Sequence, residues 1–242
     1  MSTPDKFLDG RLSLLQSEDG YRAGMDAVLL AAALQAEDGQ DLVEFGCGPG
    51  AALLCAASRL DACRFTGFEI DPDAASLARR NVALNGMEAR VTVETGDIAA
   101  LEAGVGAHQV FFNPPFFDDA SALRTPKPGK QTAWLAGDTP LSAWLDAAAR
   151  VLRAKGRLTL IHRADKLADI LEGLAPRFGS ISVKPVLPHA DRDAKRVLVT
   201  ARLGGKAPLR LLPPMVLHDE GPDPHTPEAD AILRGRAVID LG

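Results

Sequence analysis

The 242-residue chain lacks any apolar run near the roughly 18 residues that a membrane-crossing helix requires; its longest candidate lies around Val28 to Leu34. Cysteine is scarce. Cys47, Cys55 and Cys63 stand eight residues apart with no C-x-x-C pair, which argues against a disulfide framework or a zinc knuckle. The start, Met1 to Lys6, does not have the charged-then-apolar order of a secretory leader, so a cytoplasmic location and no membrane partner are expected. Nor is the composition biased towards disorder: hydrophobic residues make up 46% and charged residues 24%, ordinary values for a folded domain. The length fits one large domain, or one domain with small additions.

A net charge of −5 gives no overall attraction for a polyanion, but the charge is unevenly spread. Residues 1–120 carry 8 basic and 19 acidic side chains, whereas residues 121–242 carry 19 and 13. The basic excess falls between Ser121 and Arg210, with 17 basic against 7 acidic residues. Such a division points to one electropositive face able to attract a polyanion.

Along the chain, Asp41 to Phe45 reads as a strand, Gly46-Cys47-Gly48-Pro49-Gly50 as a turn and Ala51 to Leu60 as a helix. Glycines let backbone approach a ligand and a helix start offers free amides, so this order suits a nucleotide-type site. Gly46-x-Gly48-x-x-Ala51 also fits the loose dinucleotide fingerprint, which keeps an NAD-dependent oxidoreductase open. Glu44, just before the first glycine, could hold a cationic amine. The next strand ends at Glu69-Ile70-Asp71, with Glu69 19 positions after Gly50, close to the spacing at which an acid takes ribose hydroxyls. Asp71 before Pro72 reads as the cap of the following helix.

A third strand, Val91 to Val93, stops at Gly96-Asp97-Ile98, and Asp97 there could accept from an adenine amine. After a short helix about Ala99 to Ala103, the fourth strand, His108 to Phe112, ends abruptly in Asn113-Pro114-Pro115-Phe116. Two prolines remove two backbone donors and stop the pairing. What they leave is a carboxamide, unpaired carbonyls and a ring, groups that suit a flat molecule carrying an NH2. On its own the tetrapeptide also reads as a strand stop with an Asx turn.

Residues 118–138 read as a loop carrying Arg124, Lys127 and Lys130. A helix over Leu141 to Leu152 follows, then strands at Gly156 to His162, Ile181 to Leu187 and Lys195 to Leu203, with a helix over Lys166 to Leu174 after the first. The last two strands have only a short link and form an antiparallel pair. An α/β fold is therefore predicted: a Rossmann-like doubly wound sheet of seven strands, mostly parallel with an antiparallel last strand. The expected division is an N-terminal extension over 1–26, the main domain over 27–205 and a tail over 206–242 packed on it. Asp26 reads as the cap of a helix over Ala27 to Leu34. His218, Asp219, Asp223 and His225 lie among prolines at irregular spacing, so they read as surface loop and no metal is expected.

Val43-Glu44-Phe45-Gly46-Cys47-Gly48-Pro49-Gly50, Glu69, Gly96-Asp97 and Asn113-Pro114-Pro115-Phe116, in that order, resemble the class I S-adenosylmethionine-dependent methyltransferases of the N-P-P-[YF] type. Within that group, the segment from Gln16 through Gly20-Tyr21-Arg22 to Leu30 is similar to the bacterial tRNA adenine-N6 methyltransferase family, which modifies valine tRNA. So are Ala194 to Val199, Leu212 to Asp219 and Thr226-Pro227-Glu228. Phe116 departs from that family's commoner Tyr, and N-P-P-F is also similar to ribosomal RNA guanine-N2 methyltransferases. A protein glutamine amide acceptor and a cofactor-binding RNA module without catalysis remain open as well.

The resemblance implies S-adenosylmethionine as cofactor. It places Tyr21, Arg22, Glu44, Gly46, Cys47, Gly48, Gly50, Glu69, Ile70, Asp97, Ile98 and Asn113 around it. Asn113, Pro114, Pro115 and Phe116 are the implied catalytic element, and Arg124, Lys127 and Lys130 the implied RNA contacts, with tRNA as the partner.

Overall fold

The computed structural model describes residues 4–17, 23–115, 139–219 and 224–242. The chain opens with a hairpin, β1 (Asp5–Phe7) and β2 (Leu12–Leu14), before helix α1 (Met25–Ala32). Strands β3 (Asp41–Phe45), β4 (Arg64–Glu69) and β5 (Val91–Thr95) alternate with helices α2 (Ala51–Arg59) and α3 (Pro72–Leu84). Then come β6 (Ala107–Phe112), α4 (Leu141–Val151), β7 (Leu152–Arg163), α5 (Leu167–Leu174), β8 (Phe178–Leu187) and β9 (Arg196–Leu203). The tail adds β10 (Arg210–Leu211), β11 (Met215–Val216) and α6 (Pro227–Leu233).

The main sheet runs β10-β8-β9-β7-β6-β3-β4-β5, with β11 also pairing on β8. Its central seven strands, β3 to β9, are the seven expected from the sequence, and β9 is antiparallel to both its neighbours. The two further strands come from the tail and are two residues each, too short to leave a periodic pattern. Alternating apolar residues bury one face of the sheet under α1, α2, α3 and α6 and the other under α4 and α5. Helices on both faces make this a doubly wound α/β fold.

The path from β3 to β5 moves outward on one side, and the chain then returns to place β6 on the other side of β3. The strand order therefore reverses between β3 and β6. In open α/β sheets the crevice for a ligand lies at the carboxyl ends of the strands at that reversal.

Two local details differ from the sequence reading. Helix α1 starts at Met25 with Gly24 as its N-cap and no side-chain cap. Asp26 lies inside it and pairs with Arg196 Nε of β9 at 2.9 Å, so a partner 170 residues away takes the carboxylate that local sequence assigned to capping. The short helix expected about Ala99 to Ala103 is a single 3-10 turn, Ile98–Ala100, capped by the Asp97 side chain. Asp71 does cap α3, accepting from the Asp73 and Ala74 amides, and Thr226 caps α6.

Candidate active site

At the β3–β6 reversal a cavity of about 520 Å³ opens, within the usual range for small-molecule sites. Register explains what it is made of. Phe45 lies beside Phe112 and Glu69 beside Thr95, so the residues just beyond these strand ends, Gly46, Ile70, Gly96 and Asn113, emerge at one edge. Glu44, Cys47, Gly48, Glu69, Asp97, Ile98, Pro114 and Pro115 line the cavity with them. Gly50 does not; it turns α2 against Ala78 instead. Tyr21, Arg22, Phe116, Arg124, Lys127 and Lys130 lie outside the described residues, as does the expected loop over 118–138.

The turn after β3 is held from several sides. Cys47 N donates to Phe68 O at 3.1 Å, Gly50 N to Cys47 O at 2.8 Å and Asn81 Nδ2 to Pro49 O at 2.9 Å. Glu69 bridges the strand ends, its Oε2 accepting from Gly48 N (2.8 Å) and its Oε1 from Asp71 N (2.9 Å). Burial raises its pKa, and those amides pull it partly back. A carboxylate fixed this way keeps lone pairs for the hydroxyls of a ligand.

Glu44 differs. It is 3% exposed, and its Oε2 has no hydrogen-bond partner among the described residues. Burial pushes its pKa well above the usual carboxylate range, opposed by the Leu53 backbone amide in the first turn of α2 and reinforced by the nearby Glu69. A buried carboxyl oxygen without a partner costs stability unless a cation or donor arrives. Asn113 Oδ1 is in the same condition, buried and unpartnered among the described residues. An acceptor for an ammonium and an acceptor for an NH2 thus line one cavity. Cys47 is sealed beneath, its thiol pKa raised by burial and by Glu44 and Glu69, which makes it a small packing residue rather than a nucleophile.

Trp144 of α4 also lines the cavity, and sequence reasoning missed it. Its ring is 5% exposed and tilts against Phe112 at 5.4 Å between centroids. A Cβ placed on Gly46 would come within 2.7 Å of it, and Gly46 has φ +60°. The first glycine of the turn is therefore fixed by both its backbone conformation and its neighbour. Trp144's position within an amphipathic helix gave no sign that it faces a ligand.

The model of the methyltransferase small domain family matches residues 22–184. The chain belongs to that family. A curated tRNA1(Val) (adenine(37)-N6)-methyltransferase from Porphyromonas gingivalis is 33% identical over 206 residues, covering 80% of this chain and 79% of that protein. A protein of the same name from Edwardsiella ictaluri is 28% identical over 182 residues, with 74% and 72% covered. Among solved structures, one titled a predicted O-methyltransferase from Agrobacterium tumefaciens superposes with a TM-score of 0.75 at 29% identity, covering 89% of this chain and 98% of that one. M. jannaschii TYW2 in complex with AdoMet shares the fold, with a TM-score of 0.55 at 13% identity over 76% of this chain and 78% of that one.

The methyltransferase is S-adenosylmethionine-dependent. The cavity suits that cofactor on its own chemistry: Glu44 offers one buried carboxyl oxygen without a partner among the described residues for an amine, and the Gly46 to Gly48 turn presents bare backbone beside it. Among the described residues, no helix is long and apolar enough to cross a membrane.

Proposed function

We propose that this methyltransferase transfers a methyl group to the N6 atom of an adenine in tRNA. The observation that carries the reading is Asn113 Oδ1, a buried acceptor without a partner among the described residues, on the wall of the cavity that contains Glu44. The names of the Porphyromonas and Edwardsiella relatives support the acceptor class.

When bound, the cofactor supplies an electrophilic methyl on its sulfonium. Glu44 holds the amine of its methionine part, and Glu69 takes the ribose hydroxyls. Asp97, with one carboxylate oxygen already accepting from the Ala99 amide, accepts from the adenine amine. Ile70 and Ile98 supply apolar wall.

The substrate base, drawn out of its RNA, presents its NH2 to Asn113 Oδ1 and the Pro114 carbonyl, with Phe116 across its face. Both are acceptors, so they favour the positive charge that grows on the nitrogen as the methyl arrives. Alignment does the rest, and no strong base is needed. Arg124, Lys127 and Lys130 hold RNA phosphates in this reading.

Asn113→Ala tests it. Affinity for S-adenosylhomocysteine by calorimetry stays within about tenfold of the parent, since one neutral hydrogen bond at most is lost, while N6-methyladenosine in valine tRNA disappears from nucleoside mass spectra. Normal turnover by that variant refutes the mechanism. Methylated guanine, a methylated glutamine amide or an O-methyl product in the same assay would name a different acceptor.

A further inference from the structure

Beyond the crevice, at the opposite edge of the sheet, four cations share one patch. Strand β7 starts there and β9 ends there. Between the pairs Ala107–Leu152 and Gln109–Arg157, β6 advances two residues and β7 five, so residues 153–156 bulge out of the ladder. The bulge is tight: a Cβ on Gly156 would lie 2.9 Å from Arg153 O, and Lys155 sits at φ +62°. Its two charged side chains, Arg153 and Lys155, are exposed. Directly beyond it Arg157 stands opposite Arg202 across the β7–β9 ladder, and Arg202 Nη1 reaches back to Lys155 O at 3.5 Å.

Like charges opposite each other on a sheet repel, and here no described carboxylate sits between them. None of the four has a carboxylate within 4 Å among the described residues. Asp240 attracts Arg157 from farther off, and Arg157 Nη1 donates to the neutral Gln35 Oε1 at 3.4 Å. By contrast Arg64, Arg163, Arg177, Arg196 and Arg234 all have carboxylate partners. Arg157 and Arg202 thus face each other without a carboxylate partner among the described residues, beside a bulge in which Lys155 takes an unfavourable backbone conformation.

We propose that Arg153, Lys155, Arg157 and Arg202 form a second docking surface for the phosphate backbone of the RNA substrate. The inference rests on the reading of tRNA as substrate and adds to it where the RNA body is held. Gln109, beside Arg157, is four residues from Asn113, about 13 Å along the strand. A nucleotide flipped into the crevice does not reach that far; the body of a folded RNA around it does. Phosphate contacts of this kind set affinity and orientation and carry no sequence preference.

The test is Arg153→Ala/Lys155→Asn/Arg202→Ala, with Asn chosen because it tolerates the positive φ at 155. Calorimetry with S-adenosylhomocysteine checks that fold and cavity are intact. With a valine tRNA transcript at about 0.1 M salt, KM is expected to rise about tenfold or more. The slope of log affinity against log salt is expected to flatten by about two to three, near one per lost phosphate contact. A variant that binds S-adenosylhomocysteine normally, yet keeps the parent KM and salt slope, overturns the docking surface and leaves the substrate reading standing. Parent enzyme that neither binds nor methylates tRNA overturns both. Should the triple variant fail to fold, the exposed Arg153→Ala alone gives the same readout at about one third of the slope change.

Discussion

At the scale of single residues, the site is defined by what its burial leaves unsatisfied. Glu44 costs the unliganded protein stability because its carboxyl is sealed from water. Its folded pKa lies above the ordinary value of 4.5, so the stability linked to it is fully present below pH 4.5 and is lost as pH rises through the folded value. Glu44→Gln is therefore expected to melt higher than the parent at pH 7 in the unliganded state, with the difference closing towards pH 4.5. In the same variant affinity for S-adenosylmethionine falls about 10- to 100-fold, the worth of a hydrogen bond to a charged group. Parallel melting curves with and without cofactor would expose the opposite signs. An engineered gain in stability bought by losing function is the usual trade at such sites.

At the scale of elements, the decisive contact is between a turn and a helix distant in sequence. Gly46→Ala places a methyl against Trp144 and forces an L-residue to φ +60°, at a cost of roughly 1–3 kcal/mol in urea unfolding. Trp144→Leu should recover the steric part alone, so a double-mutant cycle gives a coupling of about 1 kcal/mol. This contact also shows what sequence can reveal. The acid-ended strands, the glycine turn and the Pro114-Pro115 stop are local features with local physical causes, and they were legible. Trp144 was not, since its role arises from tertiary packing between residues 98 positions apart. Asp26 misled for the same reason: capping is inferred from neighbours in sequence, and Arg196 is a neighbour only in space. Strands of two residues, β10 and β11, carry no period to detect.

At the scale of the whole molecule, the two ends of the chain hold each other. Arg11 Nη2 donates to Arg234 O (2.6 Å) and Gly235 O (2.8 Å), and Asp9 pairs with Arg234 and Arg236. Ile239 N donates to Ala32 O at 2.9 Å, and Ile239 and Leu241 are buried with α1 and α6. These last residues are core, so Ile239→Ala and Leu241→Ala should each cost about 2–5 kcal/mol, read as a lower urea midpoint at unchanged m-value.

The tail strands have one more consequence. β10 and β11 occupy the outer side of β8 with backbone bonds such as Leu212 N to Val183 O at 2.8 Å and Leu217 N to Leu187 O at 2.9 Å. An uncovered strand of that length is a template on which a second chain can add itself. Excising residues 209–217 would therefore turn a closed border into an adhesive one, and light scattering at rising concentration should reveal self-association well below the melting temperature. Seen this way, the C-terminal segment acts as a selvedge, keeping the weave of the sheet from continuing into the next molecule.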